Sequence, residues 1–133
     1  MKAFEVQTRR RSEFVEITAK VRTAVREAGL KSGVCVVYCP HTTASITIQE
    51  NADPDVVHDM LLWLNGHIPK EVNGFRHAEG NSDSHIMSSL LGSSATVVVE
   101  NGDLILGTWQ GIYFCEFDGP RTRTVMVQTI GNT

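Results

Sequence analysis

The apolar residues of this chain fall into short runs, and turn-forming residues close most of them. Runs of this kind, bounded by Gly, Pro, Asn or Asp, are typical of β-strands joined as hairpins. Only a few stretches repeat apolar residues at helical spacing. The pattern predicts an α+β fold: a two-layer, β-rich domain whose sheets pack face to face beside two main helices.

The predicted order of elements is β-β-α-β-β-α-β-β-β, with about seven strands. The first two strands are expected to form a hairpin around a turn at residues 9–12. The continuous apolar run from Val34 to Cys39 predicts a strand buried on both faces. Strand-like runs occupy residues 3–8, 14–17, 34–39, 44–49, 96–100, 104–106, 112–117 and 122–129.

Capping residues predict where the helices begin and end. Thr18 is a candidate N-cap for the first helix, and Gly29 a candidate C-cap. Asp53 followed by Pro54 is a strong signal for the start of the second helix. Asp83 is predicted to cap a third, short helix that runs through Leu91. Its inward residues are expected to be Ile86, Leu90 and Leu91.

Length and charge limit the class of protein. A chain of 133 residues is expected to form a single domain over residues 1–133. A net charge of −3 argues against a nucleic-acid binder that works through a basic field. No apolar run is long enough to suggest a membrane span, and the N-terminal residues read as a strand and not as a signal peptide.

The cysteines point to a reducing compartment. Cys35 and Cys39 lie about 13 Å apart along a predicted strand, which is too far for a disulfide. The third cysteine, Cys115, has no partner at metal-binding spacing. Reduced thiols, and therefore a cytoplasmic protein, are the expected state.

The stretch from Phe75 to His85 carries the strongest chemical signal. It combines two histidines, acidic and amide side chains, serines and an arginine, and no apolar period runs through it. Loops held by a rigid scaffold are where chemistry tends to occur. Two further polar clusters lie at element ends, His41-Thr42-Thr43 and Thr108-Trp109-Gln110, and Glu50, Asn51 and Asp53 follow the first of them.

These side chains allow more than one interpretation. His77 and His85, joined by His41 or a carboxylate, have the ligand types of a metal site with an open position. The alternative is that the histidines only bind loop backbone. Phosphate binding at the start of the third helix is a second possibility, although Asp83 opposes an anion unless a divalent metal lies between them.

Other candidates are weaker. His58 and His67 are expected to be surface residues. Trp109 is either a stacking platform or part of the core. Arg121 and Arg123 share one side of the last strand. By default we expect their side chains to be solvated at the edge of the sheet, and the more specific alternative is that they contact a phosphate group.

Several separated motifs resemble a known family. They are His41-Thr-Thr-Ala-Ser45, Glu50-Asn-Ala-Asp-Pro54, Arg76-His77, Gly80-Asn-Ser-Asp-Ser-His85 and Leu106-Gly-Thr-Trp-Gln-Gly111. Together they resemble the YjbQ-like family, now named secondary thiamine-phosphate synthase, over about residues 4–131. The resemblance implies a β-rich fold with two sheets, a homotrimer and a polar site near the subunit interface.

The resemblance also implies an activity. A weak thiamine-phosphate synthase would join hydroxymethylpyrimidine diphosphate to thiazole phosphate and release pyrophosphate. The resemblance further implies that a divalent metal ion, zinc or magnesium, binds at His41, His77 and His85. The expected catalytic residues are His41, His77, His85, Asp83 and Glu50. The expected substrate-binding residues are Thr42, Asn51, Asp53, Arg76, Gly80, Asn81, Ser82, Ser84, Trp109 and Gln110.

Two other functions remain open at this point. One is a metal-dependent hydrolase of a small phosphate ester, in which a metal-bound water attacks. The other is a non-enzymatic trimeric protein that binds a metal or a ligand. In each of the three cases the expected partners are small molecules, and neither nucleic acid nor a membrane is expected.

Overall fold

The computed structural model describes residues 1–133 and confirms the predicted α+β class. Two antiparallel sheets pack together, a five-stranded sheet in the order β1-β8-β3-β5-β6 and a three-stranded sheet in the order β2-β7-β4. The strands are β1 (Lys2–Gln7), β2 (Glu13–Glu16), β3 (Ser32–Tyr38), β4 (Ala44–Glu50), β5 (Ser94–Glu100), β6 (Asp103–Leu104), β7 (Gln110–Glu116) and β8 (Thr122–Asn132). The helices are α1 (Thr18–Ala28), α2 (Pro54–His67) and α3 (Ser82–Leu91).

The main core lies between the sheets and under α1. Alternate residues of each strand face inward, as the two-residue period of a pleated strand requires. The five-stranded sheet contributes Cys35, Val37, Val97, Val99, Val125 and Val127, and the three-stranded sheet Ala44, Ile46, Ile112 and Phe114. A smaller cluster under α2 and α3 includes Leu64, Met87 and Phe117.

Two predictions about the strands are wrong. The first two strands do not form a hairpin, because β1 pairs with β8 in one sheet and β2 pairs with β7 in the other. The strand β3 is buried on one face only. Cys35 and Val37 face the core, whereas Tyr38 is 44% exposed on the outer face. The apolar run therefore marks a strand with an uncovered apolar side.

The helix ends follow the predicted capping in part. Gly29 ends α1 in the left-handed conformation, and Asp53 caps α2 through the N–H of Asp55. The N-cap of α3 is Asn81, whereas Asp83 was predicted. Ile86 and Leu90 are exposed, which contradicts the prediction that they face inward.

Serine hydroxyls explain the orientation of α3. Ser84 Oγ donates to the carbonyl of Phe117 at 2.5 Å, and Ser88 Oγ donates to the carbonyl of Ala44 at 2.6 Å. Both serines are buried, and Met87 packs beside them. Hydrogen bonds to strand backbone therefore fix which face of α3 is covered.

The three cysteines are free, as predicted, and all three are buried. None of the helices combines the length and the apolar character that a membrane crossing needs.

The chain crosses between the two sheets three times at the same end of the sandwich. The crossings are residues 8–12, 39–43 and 117–121. The register places them together, because Gln7 pairs with Thr122 in one sheet while Glu13 and Ala44 both pair with Glu116 in the other. Three loops that are distant in sequence thus meet at one edge.

A buried ion pair joins these crossings. Glu116 and Arg123 are 0% and 3% exposed, and the guanidinium donates from Nε to Glu116 Oε1 at 2.8 Å and from Nη2 to Oε2. The same carboxylate accepts from Thr8 Oγ1 at 2.8 Å. Arg123 Nη2 also donates to Thr43 Oγ1 at 2.9 Å. Each crossing loop, or a strand end beside it, is therefore tied to this pair.

Removing the charge of Glu116 should destabilise the protein strongly. Glu116→Gln leaves the Arg123 guanidinium buried without its counter-charge, and breaking a buried pair in this way costs about 3–5 kcal/mol. Urea unfolding followed by circular dichroism measures the free energy of unfolding. Glu27→Gln is the matched control, because the exposed pair of Glu27 with Lys2 should contribute less than about 1 kcal/mol. Equal stability of the two variants would contradict this account.

Candidate functional site

A polar pocket lies at the crossing end of the sandwich. Its volume is about 370 Å³, and none of its lining residues is hydrophobic. The lining residues are Pro40, His41, Thr42, Thr43, His77, Glu79, Asn81, His85, Asp118, Arg121 and Arg123. Three segments supply them: the β3–β4 crossing, the stretch from residue 77 into α3, and the turn that leads into β8.

His77 and His85 meet in the wall of the pocket. Their ring centroids are 5.3 Å apart and the rings are nearly perpendicular, at 87°. Glu79 Oε2 lies 3.9 Å from His77 Nε2, which is an ion pair only when the imidazole is protonated. His85 lies in the first turns of α3, so the helix fixes its position while His77 reaches it from the preceding loop.

His41 is held in one protonation state by the backbone of β8. The N–H of Thr124 donates to His41 Nε2 at 2.9 Å, and a backbone N–H can only donate. Nε2 is therefore unprotonated, and Nδ1 carries the hydrogen. Burial, followed by the nearby charge of Arg123, lowers the pKa of His41 below its ordinary value. The ring is a neutral hydrogen-bond donor at neutral pH.

Arg123 brings a buried positive charge to the pocket. Its Nε and Nη2 bind Glu116 and Thr43, whereas its Nη1 makes no hydrogen bond within the chain. Because Arg123 lines the pocket, Nη1 is available to a ligand there. The default prediction of a solvated strand edge is wrong for this residue, which is 3% exposed.

Asp118 organises the opposite wall. Its Oδ2 accepts from Arg121 Nη2 at 3.0 Å and from Asn81 Nδ2 at 2.8 Å, and its carbonyl accepts from Arg121 Nε at 2.9 Å. Two arginines and two carboxylates line the pocket, and Glu116 lies behind Arg123. With Glu116 included, the formal charge is about −1, and protonation of one histidine brings it to neutral.

The structure brings five of the predicted site residues into the polar pocket. They are His41, Thr42, His77, Asn81 and His85. Gly80 and Ser82 line a smaller adjoining cavity of about 160 Å³, which shares His77. Arg76 is exposed, and its side chain has no hydrogen bond to the rest of the chain.

Asp83 and Ser84 lie outside the pocket and hold α3 in place. The Asp83 carboxylate, 2% exposed, accepts from Arg11 Nη1 and Nη2 at 3.0 Å each. Burial opposes its ionisation, but the hydrogen bonds and charge of Arg11 outweigh that effect, so the pKa of Asp83 is lowered. From the sequence, we expected the negative charge of Asp83 to oppose phosphate binding. In the structure, Arg11 neutralises that charge.

The remaining predicted residues lie at the far end of β4, which is about 23 Å from Thr43 at a strand rise of about 3.3 Å per residue. Asn51 Nδ2 donates to Glu16 Oε2 at 3.2 Å, and Gln110 Oε1 accepts from the N–H of Gly107 at 2.8 Å. Asn51 and Gln110 line a second cleft of about 520 Å³.

Three more predicted residues are near that cleft. Glu50 Oε2 accepts from the N–H of Asp53, which caps α2, and Trp109 is 62% exposed. Within one chain, the residues that were predicted to form a single site therefore divide between two ends of the sandwich.

Sequence reasoning missed Asp118 and gave Arg121 and Arg123 only a secondary role. The signal was present in part, because Arg121 and Arg123 alternate at the start of a strand, directly after an Asp-Gly-Pro turn. Their alternation predicts a shared face. The alternation does not predict the burial of Arg123, because this burial depends on Glu116 in the neighbouring sheet.

The prediction of metal binding is corrected. No group of three or more His, Cys, Asp or Glu side chains is placed so that it could hold a metal ion. His41 also uses Nε2 to accept the Thr124 N–H, which removes one of the three expected donor atoms. The histidines of the polar pocket therefore do not fit the zinc or magnesium ion that the resemblance implied.

Comparison with known proteins identifies relatives over nearly the whole chain. The profile of the family described as "UPF0047 protein YjbQ-like" matches residues 2–132. The UPF0047 protein YugU of Bacillus subtilis is 53% identical over 131 residues, covering 98% of this chain and 99% of that protein. A UPF0047 protein of Methanocaldococcus jannaschii is 52% identical, covering 97% of this chain and 93% of that protein.

Solved structures share the fold. An uncharacterised YjbQ/UPF0047 protein from Clostridium acetobutylicum has a TM-score of 0.94 and 53% identity, and the match covers 98% of this chain and 100% of that chain. A YbjQ-like protein of unknown function from Sulfolobus solfataricus has a TM-score of 0.92 and 30% identity, with 98% and 96% covered.

These comparisons overturn the predicted activity. The matching family carries an uncharacterised-family description, and its structural relatives are described as uncharacterised or of unknown function. The motifs identified the family correctly. The prediction of a thiamine-phosphate synthase is wrong, because nothing in the relatives supports that activity.

Stability should fall as the pH is lowered, in two stages. The lowered pKa of His41 means that the unfolded chain binds its proton first, so stability decreases below about pH 6.5. Glu116 and Asp83 also have lowered pKa values, because arginine hydrogen bonds outweigh the opposing effect of burial. Their contribution is complete above about pH 4.5 and is lost as the pH falls through their folded-state pKa values.

Urea unfolding between about pH 7.5 and pH 3 measures both stages. In His41→Gln the upper stage should disappear while the lower stage remains. A wild-type stability that stays constant from about pH 7 to pH 5 would contradict the neutral, half-buried state of His41.

Proposed function

The chain belongs to the YjbQ-like UPF0047 family, and from the residues of its polar pocket we propose that it is an enzyme performing acid–base chemistry on a small phosphorylated metabolite. The observation that carries the proposal is the free Nη1 of the buried Arg123 in a pocket that also holds three histidines. A cationic donor beside proton-transferring side chains, with no apolar wall, suits a compact, charged substrate.

Anion recognition rests on Arg123 and on the neighbouring polar groups. A guanidinium that is fixed by Glu116 and Thr43 presents its remaining N–H groups without the loss of side-chain freedom that a surface arginine incurs. Arg121 contributes a second charge, held by Asp118. Because the formal charge of the pocket is about −1, a dianion should bind best when one histidine carries a proton.

Proton transfer rests on His77 and His85. Histidine is the side chain best suited to give and take protons near neutral pH. The two rings are in contact, so a proton accepted from the substrate by one ring has a second imidazole beside it. His41 has a different role, since its fixed Nδ1–H can only donate a hydrogen bond to the substrate.

Histidine substitutions separate this proposal from a structural role. Wild-type protein should bind inorganic phosphate, with chemical-shift changes in His77 and His85, and should convert at least one member of a panel of small phosphorylated metabolites. His77→Ala and His85→Ala should lower kcat by about 10²–10⁴. His58→Ala, an exposed histidine outside the pocket, should match the wild type. NMR of the reaction mixture measures turnover.

The possible failures are distinct. If phosphate shifts none of the pocket resonances, the proposal of a phosphorylated ligand is overturned. If ligands bind and the histidine variants weaken them, but no panel member is converted, the protein is a binding protein and the enzyme proposal is overturned.

We also propose that the chain assembles as a homotrimer through the outer face of the five-stranded sheet. Large apolar side chains are exposed there in adjacent positions. Val98 is 54% exposed and Ile130 59% exposed, and both pair in register with Val34 between them. Tyr38 and Ile105 extend the patch. Exposed apolar patches of this kind mark association surfaces.

Charge placed on that face should prevent assembly. The Val98→Lys/Ile130→Lys double variant should elute as a monomer, because the two ammonium groups would have to be desolvated at the interface. Size-exclusion chromatography with light scattering measures the mass. Leu62→Lys, at an equally exposed apolar residue on α2, is the control and should assemble like the wild type. A monomeric wild type would overturn the proposal.

A further inference from the structure

One loop beside the polar pocket is held by very few contacts. Residues 69–80 lie between the caps of α2 and α3, and we call this segment the flap. Residues 69–79 are all exposed. The backbone of the flap makes two hydrogen bonds, from the N–H of Phe75 to the carbonyl of Val72 and from the N–H of Gly80 to the carbonyl of His77. Both are internal, and no hydrogen bond or salt bridge joins the flap to another segment.

The flap nevertheless carries part of the pocket wall. His77 and Glu79 line the polar pocket, and the His77 ring contacts the ring of His85 on α3. A segment that is exposed and makes only local hydrogen bonds opens at a low cost in free energy. Long loops of this kind beside a site commonly act as lids. One wall of the pocket is therefore free to move, whereas the crossing loops are fixed by Glu116 and Arg123.

Two glycines bound the part of the flap that adjoins the pocket. Gly74 and Gly80 have φ angles of +106° and +71°, which residues with a side chain rarely adopt. At both positions the space around an added Cβ is empty to 4 Å, so packing does not require glycine there. Hinges of moving loops are a few such positions that absorb changes in φ and ψ. Residues 75–79 lie between the two glycines and can move together.

The polar pocket lacks the positive charge that a phosphate group requires. Its formal charge of about −1 opposes a dianion while the histidines are neutral. Arg76 lies in the flap directly before His77, so its Cα is about 3.8 Å from the Cα of a residue in the pocket wall. The Arg76 guanidinium forms no hydrogen bond or salt bridge, and the side chain is exposed. It is therefore able to bind a ligand without giving up another contact.

We propose that the flap closes over a bound phosphate group and that Arg76 is a further substrate-binding residue, which contacts that group in the closed state. This inference rests on the proposed function, since it concerns the same ligand. Arg123 holds the anion from the fixed side of the pocket, and Arg76 holds it from the moving side. A guanidinium offers paired N–H groups that match phosphate oxygens. Closure also excludes water, which strengthens both contacts.

Removing the charge of Arg76 tests its contact with the ligand. Isothermal titration with inorganic phosphate measures Kd for the wild type and for Arg76→Gln. The variant should bind about tenfold or more weakly, because a charged hydrogen bond is lost. Its thermal unfolding should match the wild type, since the Arg76 side chain has no partner in the protein. Arg26→Gln, at an exposed arginine on α1 outside the pocket, is the control and should bind phosphate like the wild type.

Hydrogen exchange measured by mass spectrometry tests closure itself. In the wild type, saturating phosphate should slow exchange about tenfold or more in peptides from residues 69–80. Exchange in residues 105–109, a loop at the far end of the sandwich, should stay unchanged and serves as the internal control. In Arg76→Gln, phosphate at a concentration that saturates the variant should protect the flap much less, because the contact that holds it closed is missing.

The outcomes distinguish the inference from the proposed function. If Arg76→Gln binds phosphate as tightly as the wild type, or if phosphate leaves exchange in the flap unchanged, the inference is overturned while phosphate binding stands. If phosphate has no measurable affinity for the wild type and shifts no resonance of His77 or His85, the proposed function fails and the inference fails with it.

Discussion

The ion pair between Glu116 and Arg123 is the interaction on which the rest of the structure depends. Burying two charges is costly, and replacing such a pair with apolar residues is often neutral or stabilising. Here the pair has a second effect, because Thr8, Thr43 and Asp118 all form hydrogen bonds with it. It fixes the three sheet crossings relative to one another and leaves one nitrogen of Arg123 for the pocket. Core stability and pocket geometry are therefore set by the same contact.

Backbone register controls the chemistry of the pocket as directly as side chains do. His41 is neutral and donates from Nδ1 because the N–H of Thr124 occupies its other nitrogen. Thr124 lies in β8, one residue after Arg123, so the strand that carries the buried charge also selects the histidine tautomer. A shift of β8 by one residue would move Arg123 to the other face of the sheet and remove the Thr124 contact.

The local signals in the sequence predicted much of the fold. Asp53 with Pro54, and Gly29, mark helix ends because capping depends on neighbours a few residues away. Pairing between distant strands could not be read in this way, and β1 and β2 were joined wrongly as a hairpin.

For the site, His77, Asn81 and His85 were identified from the polar stretch between Phe75 and His85, and His41 from a separate polar cluster. The burial of Arg123 and the capture of Asp83 by Arg11 depend on contacts between distant parts of the chain. The motifs established the family but not an activity.

The crossings at one end of the sandwich also determine when the pocket exists during folding. Its walls come from residues 40–43, 77–85 and 118–123, so it is complete only after the last strand has joined the sheet. Contacts between such distant segments close large loops and form slowly. A ligand of the pocket would recognise only the finished fold, and it would prolong the lifetime of the native state by slowing unfolding, with little effect on the rate of folding.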